Sequence, residues 1–298
     1  MPDQRLQVLR DSGARRAFAM HDRAWRQNRY VYPVVSRRSK GISIGVNLNP
    51  DKACNFDCIY CSVDRSATAP KGAVGVDVPL LRTELAAMLD LVSRGDIYQH
   101  DPFDTIPPAL RRLNDIAFSG DGEPTTFPEF AQAVAMAAEL KRAAGLADVK
   151  LVLISNATMF HRPVVREGLA ILDGNNGEIW GKLDAGSAEY YALIDRTAVP
   201  FQRVLDNLLW AAQVRPIVIQ SLLMKVHGNP PAEGELDGYI GRLAEIGARG
   251  GRIKLVQLYT VARQTTEAYA TPLSEAELST MAHRVEAALP GLAVEVYP

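Results

Sequence analysis

Six short apolar runs recur along this 298-residue chain, and between them the apolar residues change rhythm. The runs are GISIGVNLN (41–49), DIAFSG (115–120), VKLVLISNA (149–157), EIWGKLDA (178–185), PIVIQSLLMK (216–225) and RIKLVQLYT (252–260). Several are almost unbroken in Val, Ile and Leu, as strands are when a parallel sheet is covered on both faces. Between them lie helical stripes. Leu81, Leu85, Met88, Leu89 and Val92 form one, and Val204, Leu205, Leu208, Leu209 and Ala212 a second. Leu278, Met281, Ala282, Val285 and Leu289 form a third, opened by Ser274 with Glu277 three residues on, the spacing of a capping box. Segments 129–144 and 235–247 also fit helices, with Gly145 and Gly247 where their C-termini need them. The order is βα repeated six times, then a short final strand in LAVEVYP (292–298). Such a chain builds a parallel sheet with right-handed crossovers. An open doubly wound sheet and a partial barrel of six units both satisfy it.

In either architecture, chemistry belongs at the C-terminal ends of the strands. The first run is followed by CNFDCIYC (54–61), which contains every cysteine of the chain, Cys54, Cys58 and Cys61. The second is followed by SGDGEPT (119–125), and the third ends in Ser155 and Asn156. The fourth carries Lys182 and Asp184, two apart and so directed the same way. The fifth runs out through Lys225 to His227, and the sixth ends at Tyr259 and Thr260. The segment 95–114, with three prolines and no clear period, reads equally as a lid or a connection.

Hydrophobic residues make up 47% and charged residues 22%, which suits a folded globular chain and argues against disorder. The formal net charge of -1 gives no global case for nucleic acid. The distribution is uneven, though: residues 1–40 hold ten Lys and Arg against three Asp. Either these arginines form a solvated face that pairs with acidic surface elsewhere, or they meet an anionic partner such as RNA. The organisation expected is a basic extension over 1–40, a βα core over 41–262, and a closing helix and strand over 263–298. The start MPDQRLQVLR carries no apolar stretch of signal-peptide length, and no run is long enough to span a membrane. Three clustered cysteines also do not make a secreted disulfide framework. A cytoplasmic protein without membrane attachment is expected.

The CxxxCxxC spacing gathers three thiols with no long-range folding. Structural zinc wants four ligands, and only Asp57 stands near as a poor fourth. A [4Fe–4S] cube held by three thiolates keeps its fourth iron open to a small molecule. Plain structural thiols are the third reading, and an electron-transfer module without further chemistry belongs with the metal readings.

With Tyr60 in the aromatic place of CxxxCxYC and DGEP (121–124) after the second strand, the chain resembles the radical S-adenosylmethionine (SAM) superfamily over roughly 41–262. The resemblance implies a partial (βα)6 barrel, one [4Fe–4S] cluster on Cys54, Cys58 and Cys61, and SAM bound through its methionine to the open iron. It implies reductive cleavage of SAM to a 5′-deoxyadenosyl radical that takes a hydrogen atom from a substrate. An external one-electron donor, a flavodoxin or ferredoxin, would supply the electron. Gly122, Glu123 and Pro124 match the family turn, with Glu123 accepting from the methionine ammonium. Asp121 stands where the family usually has its first glycine.

By the same resemblance Ser155 and Asn156 meet the ribose or the methionyl carboxylate, with a satisfied turn or helix cap as the alternative. Lys182 neutralises that carboxylate and Asp184 binds ribose hydroxyls or substrate, unless the two simply pair with each other. Lys225, His227 and Tyr259 are substrate-side candidates. Within the superfamily, GVNLNPDKACNFDCIYC and SGDGEPTTFPEF look most like the bacterial relatives of the tRNA wyosine-base (imidazoguanosine) synthases. The archaeal and eukaryotic synthases carry further cysteines for a second cluster, which this chain lacks. A one-cluster enzyme with an unidentified substrate is therefore expected, with a tRNA base as the candidate.

Overall fold

A computed structural model describes residues 25–65 and 75–298. All six apolar runs are strands: β2 (Gly41–Val46), β3 (Leu113–Phe118), β4 (Lys150–Ser155), β5 (Gly177–Lys182), β6 (Ile217–Leu222) and β8 (Ile253–Tyr259). The expected final strand is β10 (Val294–Tyr297), and the intervening helices are α1 (Val78–Ser93), α2 (Phe130–Ala143), α3 (Pro163–Asp173), α4 (Ala188–Asp195), α5 (Phe201–Val214), α6 (Glu233–Ala248) and α7 (Glu275–Ala288). One strand precedes the six, β1 (Val31–Ser36). The main ladder runs β1-β2-β3-β4-β5-β6-β8-β10. Its β1–β2 pair is antiparallel, while β2–β3, β3–β4, β5–β6, β6–β8 and β8–β10 are parallel.

Part of the expected extension over 1–40 lies outside the described residues. Within them, Val31–Ser36 pairs along its whole length with β2, so this stretch belongs to the sheet. The run 216–225 also divides. Its last residues form β7 (Met224–Val226), which leaves the main ladder to pair antiparallel with β9 (Ala270–Pro272).

The chain forms two compact units. Of the described residues, one comprises 25–51, 75–153 and 167–178. Its core joins Leu81, Leu85, Met88 and Leu89 of α1 with Ile42 and Ile44 of β2, Ile116 and Phe118 of β3, and Phe130 of α2. The Phe118 and Phe130 rings meet edge to face, 6.0 Å between centroids. Asp77 caps α1 by accepting from the Leu80 N–H (2.9 Å). Glu84 of α1 is buried and accepts from the N–H groups of Arg29, Tyr30 and Val31, which fixes the start of β1. Lys141 is buried too. Its ammonium donates to the carbonyls of Ala147, Val149 and Asn175, which gives the buried charge three acceptors. The segment 95–114 forms three short 3-10 turns with Ile97, Phe103, Ile106 and Leu110 buried, a packed connection.

The other unit comprises 52–65, 154–166 and 179–298 of the described residues. Ile217 and Ile219 of β6, Val256 and Leu258 of β8, Leu208 of α5, and Leu278 and Val285 of α7 form its interior. The expected capping box opens α7: Ser274 accepts from Glu277 N–H, and Glu277 accepts from Ser274 N–H. Gly247 does not end its helix. It lies inside α6, and Gly250 takes the left-handed position at φ 80°. Among the described residues no helix is long and apolar enough to cross a membrane.

Candidate cofactor site

The cysteine loop has no regular structure of its own, so its backbone groups must find partners elsewhere. Asp57 N–H donates to the carbonyl of Asp195 (3.1 Å) and Ile59 N–H to that of Ile194 (2.9 Å), both at the end of α4. A helix leaves its last carbonyls unsatisfied, and here the loop uses them. Asn55 ties the loop to the end of β4. It accepts from Asn156 Nδ2 (2.8 Å) and donates to Thr158 Oγ1 (2.6 Å). Phe56 packs edge to face on Tyr191, and Ile59 is fully buried.

All three cysteines are free thiols and half-buried. Cys54 Sγ accepts from Phe56 N–H and Cys61 Sγ from Val63 N–H, both at 3.5 Å. Among the described residues no three His, Cys, Asp or Glu side chains converge on one metal-ion position. A four-iron cube does not ask for that convergence, because each thiolate takes a separate corner. The donor set of three reduced thiols on one loop therefore fits a cluster with three protein ligands.

From Cys58 a chain of buried polar groups runs inward. The Cys58 thiol donates to the Asp195 carboxylate (3.3 Å). The Tyr60 hydroxyl stands 2.5 Å from Asp184 and 3.0 Å from Asp195. Its single proton serves one carboxylate at a time, and a protonated Asp195 can donate back to the phenol oxygen. Asp184 also accepts from Leu222 N–H (2.7 Å) and from the Lys182 ammonium (3.1 Å). Lys182 donates in turn to the Tyr259 hydroxyl (2.9 Å), and its charge lies 4.9 Å from the Tyr60 ring centre.

The electrostatics follow from burial and crowding. Burial pulls the Lys182 ammonium down, but Asp184, Tyr259 and Cys58 outweigh it and hold Lys182 well above its usual range. Burial first, then Asp195, pushes the Cys58 thiol up. Burial and then the nearby Asp184 push the Asp195 carboxyl up to about 7, against the opposing pull of Lys182. A carboxyl raised on folding holds its proton longer in the native state than in the unfolded chain. In the cluster-free protein the Asp195 contribution to stability should therefore decline as pH rises from about 4 to about 7 and stay flat above. Asp195→Asn should remove that slope, as seen in the difference between the two urea-stability profiles across this range. Parallel profiles would refute it.

The expected residues at the strand ends sort into groups. Tyr60, Lys182, Asp184 and Tyr259 share the buried chain, where Lys182 and Asp184 do pair with each other. Asn156 directs its amide to Asn55 and accepts from Thr158 through its other end, while Ser155 Oγ accepts from Ala157 N–H. Lys225 and His227 are set apart. Lys225 lies in β7 and His227 just after it, so Lys225 pairs with Glu277 (2.9 Å) and His227 stacks on Tyr269 (4.3 Å between ring centres). Asp195 was not among the expected residues. It is one acid at the end of a short helix, and only the fold brings it to Cys58 and Tyr60.

The DGEP turn lies in the first unit. Glu123 is buried and caps the 3-10 turn Pro124–Thr126, accepting from Thr125 N–H (3.1 Å) and Thr125 Oγ1 (2.5 Å). Thr126 Oγ1 donates to the Glu123 carbonyl (2.7 Å) and accepts from Asn49 Nδ2 (3.1 Å). Asn47 donates to Asp121 (2.6 Å) and accepts from its N–H. Gly120 packs against Asn47, and a Cβ there would collide with its side-chain oxygen. Asn47 and Asn49 thus clip the end of β2 to this turn. They too were missed, because an Asn after a strand reads as an ordinary loop residue.

Residues 48–236 match the family model of the Radical SAM superfamily. A UPF0026 protein of Helicobacter pylori is 26% identical over 201 residues, covering 65% of this chain and 55% of that protein. A Brachyspira hyodysenteriae protein named GTPase Obg is 24% identical over 253 residues, covering 83% of this chain and 32% of its own length. The chain thus spans between a third and about half of these curated relatives. Among solved structures, a radical SAM methyltransferase from Sphaerobacter thermophilus superposes with a TM-score of 0.59 at 12% identity, covering 90% of this chain and 68% of that one. Streptococcus suis SuiB bound to S-adenosylmethionine gives 0.53 at 12%, covering 88% and 52%. TYW1 with a lysine-pyruvate adduct bound gives 0.52 at 15%, covering 96% and 90%. At these identities the likeness is one of fold, and the partial (βα)6 barrel is the fold class.

Proposed function

The chain belongs to the radical SAM superfamily, and on that premise we propose that Cys54, Cys58 and Cys61 hold a single [4Fe–4S] cluster at which SAM binds. The observation that carries this reading is the loop itself: three reduced cysteines inside the family-matched residues, two of them already accepting backbone N–H bonds at sulfur. With an electron from a flavodoxin or ferredoxin, cluster and SAM would supply a 5′-deoxyadenosyl radical able to take a hydrogen atom from a substrate.

The protein's part is binding, orientation and exclusion of side reactions. Glu123, buried on its turn, offers a carboxylate to the methionine ammonium. Lys182 and Asp184 place one cation and one anion together at the end of β5, ready to receive the carboxylate and hydroxyls of SAM. Tyr60 holds the loop to both buried acids, which restricts movement of the ligand cysteines. For the substrate we propose an RNA base, the candidate being a tRNA nucleotide. The excess of arginine in residues 1–40 supports this, as does the resemblance of both motifs to the wyosine-synthase relatives. A cytoplasmic location is part of the same proposal.

Anaerobic reconstitution with iron and sulfide tests the reading. The expected result is about four irons per chain, brown absorbance, and 5′-deoxyadenosine from SAM after reduction. Retention of one zinc, or a cluster that leaves SAM intact even with cell extract present, would overturn it. Binding to tRNA should weaken steeply with salt if arginines meet phosphates.

A further inference from the structure

The family match ends at residue 236, yet the cysteine loop is held by a segment well beyond it. Thr266 N–H donates to the carbonyl of Cys61 (2.8 Å) and Glu267 N–H to that of Ile59 (3.2 Å). The Thr266 hydroxyl reaches the carbonyls of Cys58 and Ile59, each at 3.2 Å. These bonds engage three carbonyls of the loop, while the end of α4 takes its N–H groups at Asp57 and Ile59. One side chain joins the two holds. Arg196 Nε donates to the Asp57 carbonyl (2.6 Å), one terminal nitrogen meets the Asp57 carboxylate (3.0 Å), and the other meets Glu267 (2.5 Å).

Arg196 follows α4 with φ 44° and ψ 58°, a left-handed conformation. Glycine is the usual residue at such a position because it bears no Cβ penalty. A residue kept there against that penalty points to work done by its side chain, and the guanidinium spans the loop and the distant segment.

We propose that Arg196, Thr266 and Glu267 form a clasp that holds the cysteine loop in its ligand-presenting form, so that cluster retention depends in part on Thr266 and Glu267, which lie outside the family-matched region. These are positioning residues, acting through the loop backbone and Asp57. The physical gain is pre-organisation. A loop already ordered does not have to lose its conformational freedom when it takes up the cluster. The retention role rests on the cluster reading above, whereas the clasp itself is a property of the cluster-free fold.

The test compares wild type with Arg196→Met and with Thr266→Val, which removes only the hydroxyl bonds and keeps the Thr266 N–H. Hydrogen exchange of cluster-free protein is read on peptides covering 54–62 and 262–268. Both stretches should exchange about tenfold faster in Arg196→Met, with a smaller gain in Thr266→Val. Iron release from reconstituted protein to a strong chelator should then be about tenfold to hundredfold faster, the usual scale for partners that orient metal ligands. Far-ultraviolet circular dichroism should stay the same. Unchanged exchange in both variants overturns the clasp whatever the cluster does. Faster exchange with unchanged iron release overturns its role in retention. If wild-type protein takes up no cluster, the cluster reading falls and exchange alone decides the clasp. If Arg196→Met does not fold, Thr266→Val carries both arms.

Discussion

Cys58→Ala is expected to abolish cluster binding and all cleavage of SAM while leaving the fold in place. The chain has no fourth cysteine to substitute, so the change leaves two thiols where the cube needs three. The fold should survive because the thiol contributes only its hydrogen bond to Asp195, while backbone groups and Tyr60 make the other contacts that order the loop. Asp57 and Ile59 still donate to α4, and Tyr60 still reaches both buried carboxylates. Iron content and absorbance after reconstitution would fall to background, with the melting temperature of the cluster-free protein nearly unchanged. Glu123→Gln provides the contrast. The amide keeps an oxygen to accept from Thr125, so the turn should hold, but the charge for the SAM ammonium is gone. That variant should keep its iron and bind SAM about tenfold more weakly, on the difference between charged and neutral hydrogen bonds. A Cys58→Ala protein that retained four irons would remove the three-cysteine assignment. Equal SAM affinity in Glu123→Gln would remove the role given to Glu123.

The parts of this fold that could be read from sequence are those whose signal is local. Strands β2 to β6 and β8 show as apolar runs because a parallel sheet buries both faces. The cysteine loop shows because its three thiols are neighbours in sequence. Lys182 and Asp184 showed because alternate residues of an extended chain point the same way, and they do meet. What could not be read depends on distant partners. VYPVVS is apolar enough for a strand, but it is short and flanked by arginines. Its place in the sheet is fixed by Glu84, on a helix far along the chain. Helix α4 is a single short stretch, AEYYALID, with no apolar stripe to announce it. Asp195, Arg196 and Thr266 were hidden for the same reason. Each is an ordinary polar residue in a polar stretch until folding places it against the cysteine loop.

Asp184→Ala should destabilise the protein by about 3 kcal/mol, the lower end of the cost of removing one partner from a buried ion pair. The lower end applies because Lys182 keeps 17% of its side chain exposed, against 2% for Asp184. Three groups lose their acceptor at once: the Lys182 ammonium, the Tyr60 hydroxyl and the Leu222 N–H. Tyr60 can turn to Asp195 and Lys182 can keep Tyr259, but the Leu222 N–H is a backbone donor with no side-chain freedom. The double variant Lys182→Met with Asp184→Leu tests the cause. It removes the charge and the need to compensate it, so part of the lost stability should return, with the Leu222 N–H still lacking its acceptor. Urea denaturation of the cluster-free proteins gives both numbers. A double variant as unstable as Asp184→Ala would show that the ion pair is not the source of the loss. The double variant also separates stability from binding. If Lys182 and Asp184 serve SAM, it should fold, take up iron and still bind SAM poorly. If it binds SAM as well as wild type, the pair is a structural feature of the barrel and nothing more.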